Sequence, residues 1–449
     1  MTNPATGVVE QEFPTMADSD VPAVIDRADR EHTRWRDRPV EERAAALRRA
    51  ADLFDQRSDE LAALVMREMG KRPAEGKGEL WLTARIFRYY AENGAAMIAD
   101  ETLEVEGAAA VIEKRSIGVV LGIMPWNYPY YQVARFAAAN LILGNTILLK
   151  HAPSCPASSA AIERLLHDAG VPADAYINVY ASNEQVAEII ADPRVHGVSL
   201  TGSERAGAAV AAIAGAHLTK VVLELGGSDP LIVLDTADVK ATAAMAVAAR
   251  MGNSGQACNA PKRMIVMADL YDAFVEEVAA QTAALVLGDP ADEATTLAPL
   301  SSTQAAETLM AQLERAVEEG AVVRTGGRRL DRPGAWVEAT VLTDIRPGTE
   351  AYEQELFGPV AIVFRVEDEA EAVRLANDTP FGLGAAVFSS DVERARRVGR
   401  QLDVGMVYIN ATEGSQADLP FGGVKRSGIG RELGQLGVEE FMNKRIVRI

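Results

Sequence analysis

Cysteine is nearly missing: Cys155 and Cys258 are the only two in 449 residues. Two thiols cannot build a disulfide framework, and the start "MTNPATGVVEQEF" has neither a basic stretch nor an apolar core, so a reducing cytoplasm is the expected compartment. Histidine is scarce as well. His32, His151, His167, His196 and His217 stand singly, and no Cys/His/Asp cluster has metal-ligand spacing, so no metal is expected. No apolar run approaches the roughly 20 residues a membrane-spanning helix needs. Basic residues are outnumbered, 45 against 64 acidic, for a formal charge of −19. That balance argues against general affinity for nucleic acid or anionic membrane surfaces.

What is present is apolar and regularly arranged. Hydrophobic residues make up 48% of a chain too long for one ordinary core, so two or three substructures are expected. Residues 21–69 carry apolar positions at three- and four-residue spacing, the pattern of amphipathic helices. From about residue 117, short β-branched runs alternate with alanine-rich helical stretches: "IGVVLGIMP", "NTILLK", "YINVY", "VHGVSL", "KVVLEL", "PLIVL", "RMIVMA", "VAIVFRV", "LGAAVFS" and "VGMVYIN". That alternation signals β-α-β units and parallel sheets buried on both faces. The best cut between two such sheets falls near residue 227.

Four stretches carry candidate chemistry. In "NSGQACNAPKR" Cys258 has small polar neighbours that suit a cleft-lining turn, although a lone cysteine is commonly just a buried apolar residue. In "VVLELGGSDP" a carboxylate, Glu224, ends an apolar run. Partial desolvation there would raise its pKa and make it a usable general base, whereas a salt-bridged strand end is the plain alternative. In "IMPWNYPYYQVARF" Pro129 suits the first turn of a helix, leaving Asn127 in the preceding loop as an oxyanion donor or a simple cap. Tyr131 and Arg135 share a face of that helix, and Arg135, alone among apolar residues, calls for an anionic partner from protein or substrate. In "LTGSERAGAAV" Gly202 and Ser203 open a helix whose free N–H groups suit a phosphate. Lys150 and Glu355 are unremarkable by themselves.

Together these stretches resemble the aldehyde dehydrogenase superfamily, in its order and spacing and over essentially the whole chain. "PWNYP", "GNTILLKHAP", "TGSERAG", "LELGGSDP", "GQACNAPKR", "ELFGPV", "NDTPFGLGAAVF" and "LPFGGVKRSG" all match. The resemblance implies an α/β fold with a Rossmann-like cofactor domain (1–102 and 118–226), an α/β catalytic domain (227–425) and a small β oligomerisation element (103–117 and 426–449), assembled as a homodimer or homotetramer. It implies that Cys258 is the nucleophile, Asn127 and the Cys258 N–H the oxyanion donors, and Glu224 the base that activates a hydrolytic water. Members that pass the acyl group to coenzyme A lack that glutamate.

The resemblance places the nicotinamide ribose on Glu355, the ring beside Phe357, the adenosine ribose on Lys150 and the pyrophosphate at Gly202 and Ser203. Pro125, Trp126 and Gly226 line the same site, and Glu432 matches a supporting carboxylate. NAD-preferring members often carry a glutamate three residues after that lysine. Pro153 stands here instead, so NADP is expected to be preferred over NAD. The motifs are most similar to succinate-semialdehyde dehydrogenases, in which residues matching Arg135 and Ser415 bind the substrate carboxylate, with Tyr131 nearby. A second arginine of some of those enzymes is Gly252 here, and Arg250 is offset from it by two. A second, redox-sensing cysteine is replaced by Ala260. Other anionic aldehydes, such as a longer semialdehyde or a phosphonate aldehyde, are the next choice, and a non-catalytic nucleotide-binding protein is the remote one.

Overall fold

The computed structural model describes residues 1–412 and 415–448. Each of the β-branched runs quoted above forms a strand, because alternate residues of a parallel sheet covered on both faces all face apolar neighbours. Six strands make one sheet, in the order Gly428–Ile429, Lys220–Glu224, Val195–Thr201, Val119–Met124, Thr146–His151, Tyr176–Asn178. All its pairings are parallel except that of Gly428–Ile429. Seven make a second sheet, in the order Val322–Thr325, Thr340–Thr343, Val360–Val366, Arg263–Met267, Pro230–Val233, Gly384–Phe388, Met406–Ile409. Only Val322–Thr325 runs antiparallel there. The chain passes from the first sheet to the second between Glu224 and Pro230, at "LGGSD".

A third sheet has three antiparallel strands, Glu101–Val105, Ala108–Ser116 and Met442–Arg448. The hairpin therefore begins at Glu101, and segment 426–449 serves two sheets, since Gly428–Ile429 pairs with Leu223 and Glu224 before the chain reaches the third. Among the described residues, no helix is long and apolar enough to cross a membrane.

The amphipathic stretch 21–69 folds as Val21–Arg36, Val40–Gln56 and Ser58–Met69, followed by Pro73–Met97. These helices enclose Pro129–Leu143, every residue of which is buried. That helix starts on Pro129, whose missing N–H costs nothing in a first turn, and stops at Gly144, which takes the left-handed conformation (φ 104°). Its first-turn N–H groups at Tyr130 and Tyr131 donate to Glu79 Oε1 at 2.7 and 3.1 Å. Glu79 is itself paired with the buried Lys71, whose ammonium lies 3.9 Å from the centre of the Tyr128 ring. A buried ion pair thus fixes the end of the helix that carries Tyr131 and Arg135.

Candidate active site

The loop before the second sheet's central strand delivers Cys258. Three consecutive residues ahead of it, Asn253, Ser254 and Gly255, take left-handed conformations (φ 52°, 54° and 71°). Such backbone persists in non-glycine residues only where surroundings enforce it. Here Asn253 N–H donates to Glu75 Oε1 (2.8 Å), its Nδ2 to the Asn127 carbonyl (3.0 Å), and Ser254 Oγ to the Ala298 carbonyl (2.8 Å). Asn127 does not cap the helix that follows it. Its Nδ2 donates to the Gln256 carbonyl at 3.0 Å, which ties the loop to the cysteine turn and leaves the second amide hydrogen without a partner among the described residues.

Cys258 lies on the shared wall of two cavities. One, of about 260 Å³, is lined by Pro125, Trp126, Asn127, Gly202, Ser203, Gly226, Glu355 and Phe357, with Gln132, Thr201 and Leu225. Every residue expected on the cofactor is here except Lys150, which lies in a separate recess of about 100 Å³ beside Pro153, Phe13 and Tyr180. Ser203 caps the helix Glu204–Ala216 by accepting from Ala206 N–H. The second cavity, about 560 Å³, contains Tyr131, Arg135 and Ser415 together with Gln132, Trp81 and Phe421. Glu224 and Glu432 line neither, and Glu432 sits behind Arg135.

The electrostatics follow from dryness. Burial pushes the Cys258 thiol up to about 12, with Arg135 and Lys262 opposing the shift and Glu355 and Glu224 adding to it. The Glu224 carboxyl is also held well above the usual carboxylate range by burial, which Arg135 only partly offsets. Both its oxygens are buried without a hydrogen bond among the described residues, and Arg135 Nη2 stays 3.9 Å away. Once ionised, a carboxyl so placed is a stronger base than an ordinary glutamate. Arg135 Nε pairs with Glu432 Oε2 at 2.6 Å, and Glu432 Oε1 accepts from Ser199. Burial alone would lower the pKa of the guanidinium, but Glu432, Tyr131 and Glu224 more than compensate, so it stays charged. Arg135 Nη1 and the Tyr131 hydroxyl are left buried without a hydrogen bond of normal geometry.

A family model, "Aldehyde dehydrogenase family", matches residues 1–447. The chain belongs to the aldehyde dehydrogenase family. It is 55% identical over 446 residues to a succinate-semialdehyde dehydrogenase [NADP(+)] of Deinococcus radiodurans, covering 99% of this chain and 94% of that one. It is 44% identical to succinate-semialdehyde dehydrogenase [NADP(+)] 1 of Mycobacterium tuberculosis, covering 100% and 98%. A crystal structure of succinic semialdehyde dehydrogenase from Streptococcus pyogenes, in complex with NADP+, superposes with a TM-score of 0.98. It is 41% identical, with 100% of this chain and 98% of that one covered.

Aldehyde dehydrogenase motifs point to the candidate reacting residues but pass over those packed around them. Arg250 does not reach the substrate cavity. Its guanidinium donates to four carbonyls, those of Val360, Gly255, Leu356 and Gly358, at 2.6–3.0 Å. Lys262 is likewise buried, on the carbonyls of Ala257 and Cys258 and on Glu355. The available signal was two cations flanking an otherwise neutral "MGNSGQACNAP".

Proposed function

We propose that the protein oxidises succinate semialdehyde to succinate with NADP+, by attack of Cys258 and hydrolysis of the resulting thioester. The observation that carries the reading is Cys258 standing between a cavity bearing the dinucleotide-binding residues and one bearing Arg135, Tyr131 and Ser415. It is supported by the relatives' NADP+ and succinate semialdehyde specificities.

Starting from a neutral, partly buried thiol, the reaction needs a base, and Glu224 suits that role. The Cys258 sulfur adds to the aldehyde carbon, and the oxyanion of the thiohemiacetal falls to the Asn127 amide and the Cys258 N–H. NADP+, when bound, accepts the hydride. Glu224 then takes a proton from the water that attacks the thioester, and the acid leaves through the larger cavity. Glu355, Phe357 and the opening of the helix at Ser203 suit the nicotinamide half and the pyrophosphate of the cofactor. Lys150, half-buried and without an ion pair or hydrogen bond among the described residues, fits a 2′-phosphate, the more so because Pro153 brings no competing negative charge. Burial lowers the pKa of its ammonium, a cost that a bound phosphate would offset.

Neither Arg135 Nη1 nor the Tyr131 hydroxyl, which interacts with Arg135 and Ser415, makes a hydrogen bond of normal geometry among the described residues, and the two provide the donors a substrate carboxylate needs. Removing Arg135 outright would strip the buried Glu432 of its partner, so Tyr131→Phe and Ser415→Ala are the cleaner probes. The kcat/KM for succinate semialdehyde over butanal, which lacks only the carboxylate, is expected to be in the hundreds and to fall about tenfold in each variant. A wild-type ratio near one would overturn the substrate assignment. A cavity of about 560 Å³ also has room for longer ω-semialdehydes, which makes them the second reading. We further infer a cytoplasmic dimer or tetramer, a reading supported by the exposed Met442–Arg448 strand.

A further inference from the structure

A single ammonium joins the two sides of the site. Lys262 Nζ lies 2.8 Å from the Ala257 carbonyl, 2.7 Å from the Cys258 carbonyl and 3.0 Å from Glu355 Oε1, with its side chain almost completely buried. The peptide unit is planar and trans, so its C=O and N–H point in opposite directions. The Ala257 carbonyl and the Cys258 N–H belong to the same unit. Whatever grips the one therefore aims the other. The Cys258 N–H makes no hydrogen bond among the described residues, as expected of a donor kept for a ligand.

We propose that Lys262 is a positioning residue: by holding the Ala257 carbonyl it aims the Cys258 N–H at the developing oxyanion, and by holding Glu355 it ties that aim to the cofactor-facing loop. The inference rests on the reading of Cys258 as nucleophile. Arg250 reinforces the same link from the other side, joining Gly255 of the cysteine turn to Leu356, Gly358 and Val360. The charged groups acting on Cys258 are Arg135 and Lys262, which favour the thiolate, and Glu355 and Glu224, which oppose it. Behind the turn, Asp229 lies near enough to Lys262 to feel its charge.

The test is Lys262→Met, which keeps the apolar stem and removes the ammonium. A misaimed oxyanion donor lowers kcat by about 30- to 100-fold, with the KM for the aldehyde within threefold of wild type. In the cofactor-free enzyme, alkylation of Cys258 by iodoacetamide needs the thiolate and no oxyanion donor. Its pH midpoint should move up by about one unit as a favourable charge is lost, while the plateau rate at high pH is kept. Lys262→Arg, which retains the cation, should recover most of the lost kcat. A folded Lys262→Met variant with wild-type kcat, or with its whole defect in the KM for NADP+, overturns the proposal.

If Lys262→Met does not fold, Glu355→Gln decides. Loosening one of the three Lys262 partners should speed amide hydrogen exchange across residues 255–262 in the cofactor-free enzyme, and wild-type exchange there overturns the link. Exchange is measured without substrate, so its outcome is separable from failure of the proposed reaction, which wild-type turnover tests alone.

Discussion

A thiol whose pKa is pushed up by burial is a poor nucleophile until something takes its proton, and the Glu224 carboxyl, whose charge it feels, is raised by burial as well. Because burial raises the Glu224 pKa, its basic form is lost as pH falls through a range well above that of an ordinary glutamate, and activity should fall with it. Glu224→Gln is expected to abolish that acid limb and to lower kcat by about 10² to 10⁴. If deacylation is the step that suffers most, rapid mixing should still show a first-turnover burst of reduced cofactor. Loss of the burst with the steady rate would move the main role of Glu224 to thiol activation. None of this was legible in "SGQACN" alone. The cysteine's neighbours suit a cleft-lining turn but still allow a buried spectator, and it is the order of the surrounding motifs that favours the nucleophile. Lys262 and Arg250 escaped because their partners are mostly backbone carbonyls, which leave no mark in side-chain identity.

The helix Pro129–Leu143 is the element on which the larger cavity depends. Its Arg135 faces Glu432, and its N-terminus is gripped by Glu79, itself neutralised by Lys71. Lys71→Met leaves the Glu79 carboxylate buried and uncompensated, a change that typically costs about 3–5 kcal/mol. It should lower the unfolding midpoint and raise the KM for the aldehyde, while a double variant with Glu79→Gln recovers part of the stability. Calorimetry of both single variants and the double reads the stability changes, steady-state kinetics reads the KM, and additivity would show that the pair is not coupled. The strands of the two large sheets were readable because burial on both faces leaves continuous β-branched runs. The exceptions are Thr340–Thr343, a buried "TVLT" that is not among the runs quoted, Val322–Thr325, a largely exposed "VVRT" interrupted by a charge, and the two-residue Gly428–Ile429. Arg135 was readable as a charge needing a partner. That the partner is Glu432, 297 residues along, is a matter of folding and not of pattern.

For the molecule as a whole, the third sheet ends on Met442–Arg448, which among the described residues pairs only with Ala108–Ser116 and leaves its other edge open. Ile446 on that strand is 61% exposed. Open edges with apolar side chains invite pairing with another chain. Truncation after Phe441 is therefore expected to reduce the assembly to a smaller species by light scattering, with far-UV circular dichroism nearly unchanged. A wild-type chain that is already monomeric at micromolar concentration would contradict this. The placement of Cys258 between two cavities has a kinetic consequence too. A site with two doorways to one sulfur lets the oxidised product and the spent cofactor depart without passing each other. Neither should obstruct the entrance the other vacates, so the reduced cofactor ought to inhibit noncompetitively against the aldehyde, the pattern of two substrates that share a destination and not a path.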